Sequence, residues 1–220
     1  MTGGTSRFVS RAGEKLSAAL GAFGVDVSNA VCADFGCNVG GFTDCLLQRG
    51  AERVYAVDSG YGTLAWTLRR DDRVVVMERT NVLYCPCPEP VDLVVVDVAW
   101  TPQARAIPAA MRWLKPPAGR IVSLLKPHYE QAKAPGRTRA RGRGRRADRR
   151  MDDARAESIC LDVCRRLAGG DCRVDAVMRS PLRGKGGNVE FLVLLEALPS
   201  PGRSVSAGGQ TSVDGPSEAK

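Results

Sequence analysis

The chain has 220 residues, of which 44% are hydrophobic and 25% are charged, as is typical of one globular domain with a sizeable core. No apolar run approaches the roughly 20 residues that span a bilayer, and the first residues, MTGGTSRFVSRAGEKL, lack the apolar segment of a secretory signal. From these features we expect neither a membrane-spanning nor a secreted protein, and they predict a cytoplasmic protein with reduced cysteines. The spacings of Cys85 and Cys87 and of Cys160 and Cys164 do not match common zinc-ligand patterns, so no metal is expected.

The net charge of +8 is concentrated in one segment. Residues 137–150, RTRARGRGRRADRR, hold eight arginines and one aspartate and so contribute +7. Arginines separated by glycine suit contacts to the phosphates of a nucleic acid. A solvated loop that binds nothing specific is the alternative. We expect this segment to contact nucleic acid, because clustered arginine is an electrostatic footprint in its own right.

Apolar runs alternate with amphipathic stretches along the chain. The predicted strands are 31–36, 53–58, 73–77, 91–98, 120–126, 173–178 and 189–197. The predicted helices are GEKLSAALGAF, GFTDCLLQR, GTLAWTLRR, PQARAIPAAMRWL and MDDARAESICLDVCRRLA. This alternation predicts an α/β domain over residues 1–198, with helices on both faces of a mostly parallel seven-stranded sheet. The short link SPLRGKGGN predicts an antiparallel last strand, and the polar tail 199–220 is expected to be disordered.

A glycine-rich loop, DFGCNVGGFTD, follows the first predicted strand and opens a helix. Its glycines, Gly36, Gly40 and Gly41, do not have the spacing of a dinucleotide fingerprint. The spacing does suit a phosphate loop, but Phe42 stands where that loop needs a lysine. S-adenosylmethionine (SAM) offers an amine, a carboxylate and a sulfonium, and no phosphate. The loop therefore predicts SAM as the cofactor.

Residues at the ends of the first three strands would each contact part of SAM. Asp34 would accept from the amine, while the glycines let the backbone come close and the helix N-terminus favours the carboxylate. Asp58 lies where an acid binds ribose hydroxyls in nucleotide folds, and Asn81 lies near the expected adenine edge. Each position alone is more often structural. The predicted cofactor-binding residues are Asp34, Gly36, Asn38, Gly40, Gly41, Phe42, Asp58 and Asn81.

Charged residues flank several predicted strands at the rim where the glycine loop lies. Asp97 ends the fourth strand, Lys126 ends the fifth, and Glu190 opens the last. An antiparallel last strand starts at the rim where parallel strands end, so Glu190 should meet a lysine there, which would offset the cost of burying its carboxylate. Lys15 lies in the first turn of the leading helix. Composition alone makes it an ordinary exposed lysine, although a cation in a first turn opposes the helix dipole.

Seven motifs occur in order between Phe8 and Glu196: SRAGEKL, GGFTDCLLQRGA, VYAVDSGYG, VVVMERTN, VDLVVVDV, LLKPHYE and GNVEF. In these motifs the chain resembles the haemolysin-A-type (TlyA) ribosomal RNA methyltransferases, which belong with the FtsJ-like 2′-O-methyltransferases. The resemblance implies a Rossmann-like, SAM-dependent fold and methylation of cytidine 2′-hydroxyls in ribosomal RNA. It also implies a catalytic tetrad in which Lys126 activates or orients the ribose hydroxyl. The tetrad residues are Lys15, Asp97, Lys126 and Glu190.

Several features depart from the family pattern. The family normally carries an N-terminal S4-type RNA-binding domain, and because the given sequence opens on the catalytic motifs we expect this domain to be missing and residues 137–150 to replace it in part as an RNA clamp. Cys37 and Asn38 replace smaller residues, and Trp100 and His128 stand where phenylalanine and glutamine are usual. The tryptophan would either stack on an unpaired base or pack at the rim. The rival functions are a non-catalytic RNA-binding protein on a methyltransferase fold and a methyltransferase for another acceptor.

Overall fold

The computed structural model describes residues 7–130, 151–184 and 186–198. The strands in these ranges are β1 (Val31–Phe35), β2 (Arg53–Val57), β3 (Val74–Met77), β4 (Leu93–Val96), β5 (Arg120–Leu125), β6 (Cys172–Arg179) and β7 (Phe191–Ala197). They form one sheet in the order β3-β2-β1-β4-β5-β7-β6. Strands β1 to β5 run parallel to one another, whereas β7 runs antiparallel to both β5 and β6. The predicted sheet, with its antiparallel last strand, is confirmed.

The helices among the described residues are α1 (Ala12–Ala22), α2 (Gly41–Gln48), α3 (Trp66–Arg69), α4 (Gln103–Met111), α5 (Pro127–Glu130) and α6 (Asp153–Ala168). Helix α6 begins at a side-chain cap, because the Asp152 carboxylate accepts a hydrogen bond from the backbone N–H of Arg155 at 3.1 Å. The prediction of a longer third helix, starting at Gly62, is wrong. Gly62 has a φ of +72°, and this left-handed conformation belongs to a turn.

Each face of the sheet is covered by a buried cluster. On one face, Leu16 and Leu20 of α1 and Leu46 of α2 pack against the strands. On the other, Trp113 meets the ring of Phe35 edge-on, with ring centroids 5.1 Å apart. Helices α4 and α6 add Ile107, Ala156 and Val163 to this second cluster. The prediction of helices on both faces is therefore confirmed.

The position of β7 in the sheet explains the unbroken apolar run that follows Glu190. Strand β7 lies between β5 and β6, and residues 191–195 are all buried. Leu125, the last residue of β5, pairs with Phe191, the first residue of β7. The residue after β5 and the residue before β7 therefore lie at the same rim. Strand β6 forms the edge of the sheet and exposes alternate residues.

Two predicted segments cannot be compared with the structure. The arginine segment 137–150 and the tail 199–220 lie outside the described residues. Within the part of the chain that the structure describes, no helix has both the length and the apolar character needed to cross a bilayer.

Candidate active site

Two ion pairs bring the four predicted tetrad residues together at the rim of the sheet. Lys15 Nζ lies 2.5 Å from Glu190 Oε2, and both residues are buried. Lys126 forms the second ion pair, with Oδ1 of Asp97. All four residues line one cavity of about 370 Å³. Glu190 does meet a lysine, as predicted, and that lysine is Lys15. Its relative exposure is only 8%, so the interpretation of Lys15 as an ordinary exposed lysine is wrong.

Lys15 reaches this cavity because α1 approaches the glycine loop closely. A Cβ atom at Gly41, the first residue of α2, would lie 2.2 Å from Ser10 Oγ and 3.0 Å from Ala12 Cβ. Only glycine lets the start of α1 pack against the start of α2 at this distance. The buried Leu16 anchors the adjacent position of α1 in the core. The Lys15 side chain is thereby directed along the rim toward β7.

Burial dominates the electrostatics of Asp97. Removal from water raises the pKa of its carboxyl above the usual range, while Lys126 and Lys15 oppose this shift and Glu190 adds to it. Asp97 therefore holds a proton more readily than an exposed aspartate. It forms an ion pair with Lys126, which holds the lysine side chain against this carboxyl at the rim.

The glycine loop is fixed to the ends of β4 and β2. Gly36 has a φ of +86°, and a Cβ atom there would lie 2.7 Å from the backbone oxygen of Asp97. Glycine is therefore required where β1 and β4 leave the sheet. The backbone N–H of Asn38 donates to Asp58 Oδ2 at 2.9 Å, which ties the loop to the end of β2. Gly40, with a φ of +100°, precedes the first residue of α2.

A second cavity, of about 360 Å³, continues from the first along the rim. The two cavities share Gly36, Asn38, Asp97 and Ala99 in their walls. The second is also lined by Asp58, Asn81 and Trp100. The predicted ribose-binding and adenine-binding residues therefore face a space that opens onto the predicted catalytic residues.

Asp58 and Asn81 retain hydrogen-bonding capacity toward this second cavity. Asp58 accepts from the backbone N–H groups of Asn38 and Gly60, at 2.9 and 2.7 Å. A carboxylate has about four acceptor positions, so ribose hydroxyls can still be accommodated. Asn81 accepts through Oδ1 from the N–H of Leu83 at 3.0 Å. Its Nδ2 has no partner among the residues that the structure describes.

Asp34 lies beneath the glycine loop and outside the walls of both cavities. Its Oδ2 accepts hydrogen bonds from the backbone N–H of Thr43 at 2.9 Å and from its hydroxyl at 2.7 Å. Its Oδ1 is buried, without a partner among the described residues. Burial raises the pKa of this carboxyl to about 7. The observed role of Asp34 is to fix the start of α2, and its contact with the SAM amine stays a prediction. Phe42 is buried in the core and also lines the first cavity.

Aromatic rings flank the Lys126–Asp97 pair. The Trp100 ring lies 4.7 Å from the ring of Tyr129, which lies 4.1 Å from the ring of His128. The ammonium of Lys126 is 5.8 Å from the centre of the Tyr129 ring. Trp100 packs at the rim and is nevertheless 82% exposed, so both sequence interpretations of this residue stay open.

Several residues of the first cavity were not predicted from the sequence. Ser10, Arg11 and Tyr129 line it beside the tetrad. For Tyr129 a signal was available, because it lies three residues after Lys126 in a segment that begins with proline, as a helical turn does. Ser10 and Arg11 precede α1, and nothing in their local pattern indicates that this segment crosses the rim.

The cysteines form no site of their own in the structure. All eight are free thiols, and Cys32, Cys37 and Cys45 are buried in the core. Within residues 7–130, 151–184 and 186–198, no group of three or more histidine, cysteine, aspartate or glutamate side chains is arranged to hold a metal ion.

Comparison with known proteins identifies the family. Residues 8–197 match the FtsJ-like methyltransferase family. The 16S/23S rRNA (cytidine-2′-O)-methyltransferase TlyA from Mycobacterium tuberculosis is 41% identical over 209 residues, which cover 92% of this chain and 72% of that protein. A solved structure from Streptococcus thermophilus, described as a hemolysin, has a TM-score of 0.78 at 32% identity and covers 94% of this chain and 73% of that one.

More distant structures share the fold alone. The N-methyltransferase NodS from Bradyrhizobium japonicum, solved with S-adenosylhomocysteine (SAH), has a TM-score of 0.57 at 16% identity. The likeness covers 86% of this chain and 87% of NodS. The family match and the identity to TlyA agree with the seven-stranded sheet and the rim geometry. The chain therefore belongs to the FtsJ-like methyltransferase family, in the group that contains TlyA.

Proposed function

We propose that this chain is a SAM-dependent RNA methyltransferase that transfers a methyl group to a ribose 2′-hydroxyl, with a cytidine of ribosomal RNA as its target. The observation that carries the proposal is the convergence of two lysines and two carboxylates on one cavity. Family membership supports methyl transfer, and the name of the 41% identical relative supports the ribosomal RNA target. An enzyme with this substrate would work in the cytoplasm, where ribosomes are assembled.

The residues around the two cavities fit SAM. Gly36 and Asn38 line both cavities, so a bound molecule can pass over the loop from one to the other. Asp58 would hold the ribose hydroxyls and Asn81 the adenine, while the glycine loop would hold the methionine end. When bound, SAM supplies a methyl group made electrophilic by its attachment to a positively charged sulfur.

Lys126, held by Asp97, would accept the proton of the attacking hydroxyl. A ribose hydroxyl gives up its proton only to a group with an available lone pair. The ion pair with Asp97 holds the Lys126 side chain in place. Lys126 would accept the hydroxyl proton through its lone pair, after its ammonium has released a proton to water, as the new carbon–oxygen bond forms. Lys126 would also orient the oxygen for in-line attack.

Lys15 and Glu190 would hold this arrangement in place. Two ammonium groups and two carboxylates have no net charge, so the site can bind a neutral hydroxyl without leaving an unpaired charge in a low-dielectric space. Glu190 keeps the Lys15 ammonium beside Asp97, where it acts on the pKa of that carboxyl. The second ion pair is therefore a positioning element for the first.

Methylation of ribosomal RNA tests the proposal directly. Purified protein is incubated with labelled SAM and either ribosomal subunits or naked ribosomal RNA, and ribose methylation is mapped. We expect incorporation with the wild type and a loss of about a hundredfold or more with Lys126→Ala. Lys115→Ala is the matched control, because this exposed lysine pairs with Asp92 at 3.7 Å, away from the cavities.

Two outcomes would contradict the proposal in different ways. Incorporation that survives Lys126→Ala would remove this lysine from its assigned role. A wild-type protein that binds SAH and RNA but methylates neither ribosomal subunits nor naked ribosomal RNA would favour the rival, a non-catalytic RNA-binding protein.

A further inference from the structure

An exposed tyrosine beside the second cavity is held in place by two hydrogen bonds. Tyr84 is 72% exposed, and its hydroxyl accepts a hydrogen bond from the guanidinium of Arg105 at 2.9 Å. The backbone N–H of Tyr84 donates to the carbonyl of Asn81 at 3.0 Å. The ring is therefore fixed at both its hydroxyl and its backbone, while most of the residue stays open to solvent. A fixed, open ring loses little conformational freedom when a planar group stacks on it.

Two arginines beside this ring carry charge that no carboxylate neutralises. Arg112 donates to the carbonyl of Leu83 at 2.8 Å, and Arg105 donates to Tyr84. Both arginines are exposed. Neither has a carboxylate oxygen within 4.0 Å in the part of the chain that the structure describes. Each guanidinium has five N–H donors, so most of them remain available to an anion.

Tyr84, Arg105 and Arg112, called here the Tyr84 patch, lie next to the second cavity, where SAM is proposed to bind. Leu83, the neighbour of Tyr84, lines the second cavity together with Trp100. Arg105 lies in the first turn of α4, shortly after Thr101 on the same wall. The patch therefore places a ring and two free cations outside the cavity wall that also carries the exposed ring of Trp100.

We infer that the Tyr84 patch binds single-stranded RNA next to the nucleotide that is methylated. An aromatic face stacks on any base, and unpaired arginines contact the phosphates between bases. A partner protein would need carboxylates placed opposite both arginines, and a single exposed ring would add little apolar contact area to such an interface. The two positive charges therefore favour a polyanion as the ligand. The inference rests on the proposed function, because it assigns a contact to the same RNA substrate.

The stacking contact is tested by binding a labelled single-stranded RNA of about twelve nucleotides. We expect Tyr84→Ala to weaken binding by about fivefold or more, because one stacked base is lost. Tyr84→Phe keeps the ring and should bind within about twofold of the wild type. A purely structural clamp would instead make Tyr84→Phe about as damaging as Tyr84→Ala, since both variants lose the hydrogen bond from Arg105. Binding of SAH and the thermal unfolding midpoint should be unchanged in both variants.

The charge contact is tested by the salt dependence of the same binding. Arg105→Gln and Arg112→Gln should each reduce the slope of log affinity against log salt by about one. Arg70→Gln is the matched control, because Arg70 is also exposed and lies four residues before β3 begins, at the rim where the parallel strands start, whereas Tyr84 follows the end of β3. It should change neither the slope nor the affinity.

The outcomes separate this inference from the proposed function. Binding by Tyr84→Ala within twofold of the wild type would overturn the patch, as would equal losses of RNA and SAH affinity, which would indicate a cofactor-loop clamp. Failure of the wild type to transfer methyl would overturn the proposed function, while the affinities of these variants would still decide the patch.

Discussion

The buried carboxyl of Asp34 should make the stability of the protein strongly dependent on pH. Burial raises its pKa to about 7, from an ordinary value of 3.8. A group whose pKa is raised on folding stabilises the fold while it is protonated, and this contribution is lost as the pH rises through the folded-state pKa. Between about pH 4 and pH 7, the unfolded state has released this proton and the folded state still holds it.

The size of the effect follows from linkage. Within this window the contribution falls by about 1.4 kcal/mol per pH unit. Between pH 5 and pH 8 the folded-state carboxyl passes through its pKa, so about 2.7 kcal/mol of unfolding free energy is lost. Asp34→Asn removes the titrating group and keeps an acceptor for both hydrogen bonds from Thr43. The variant should therefore gain about this amount relative to the wild type over the same pH interval.

Urea unfolding of both proteins at pH 5 and pH 8 measures this change. Any constant cost of the new amide cancels, because only the pH dependence of the difference is compared. Asp71→Asn is the matched control: hydrogen bonds from Arg73 lower the pKa of Asp71, so its contribution is lost only at more acidic pH and its difference should be constant from pH 5 to pH 8. A difference between wild type and Asp34→Asn that does not change with pH would refute the reasoning.

Three further predictions concern the rim and the arginine segment. Glu190→Ala leaves the buried ammonium of Lys15 unpaired and should cost about 3–5 kcal/mol of unfolding free energy. The double variant Lys15→Met/Glu190→Leu should regain most of this stability without regaining methyl transfer. Wild-type stability in Glu190→Ala would contradict the burial of this ion pair. Gly36→Ala should lower SAH affinity, measured by calorimetry, by about tenfold, because the new Cβ would meet the Asp97 backbone. Gly24→Ala is the control, because Gly24 also has a positive φ but a Cβ there would have no atom within 4 Å, and SAH affinity should be intact. Equal losses of SAH affinity in both variants would show that the close approach of Gly36 to the Asp97 backbone does not matter for binding. Replacing residues 137–150 with a glycine-serine linker should weaken RNA binding and flatten its salt dependence; unchanged affinity and slope would show that the arginines do not bind RNA.

The sheet could be predicted from the sequence because most of its strands are buried on both faces. A continuous apolar run is the signature of such a strand, and β4 and β7 show it clearly. The direction of the last strand followed from the shortness of its connection to β6. These two inferences placed Lys126 and Glu190 at one rim, because chain direction decides which end of a strand lies there.

The side-chain environment at the rim could not be read from local pattern. Lys15 occupies an ordinary helix position, and its burial depends on Gly41 and Ser10 permitting a close approach between two helices that are separated in the chain. Asp34 is a second example. Its position on β1 predicted a ligand contact, which stays a prediction, and the sequence pattern did not indicate that its Oδ2 accepts two hydrogen bonds from Thr43. Such outcomes depend on distances between elements, which sequence periodicity does not contain.

The two ion pairs at the rim are difficult to explain by stability alone. Desolvation of both partners offsets most of the attraction in a buried ion pair, so well-packed apolar residues would stabilise the fold as well or better. Lys15 and Glu190 nevertheless lie at the edge of an apolar core, beside a second pair that lines the same cavity. Buried charge of this kind is expected where protonation states must be controlled. Burial raises the pKa of Asp97 against the opposing effects of Lys126 and Lys15, and the two ion pairs hold in place the lysine that would act on the ribose hydroxyl.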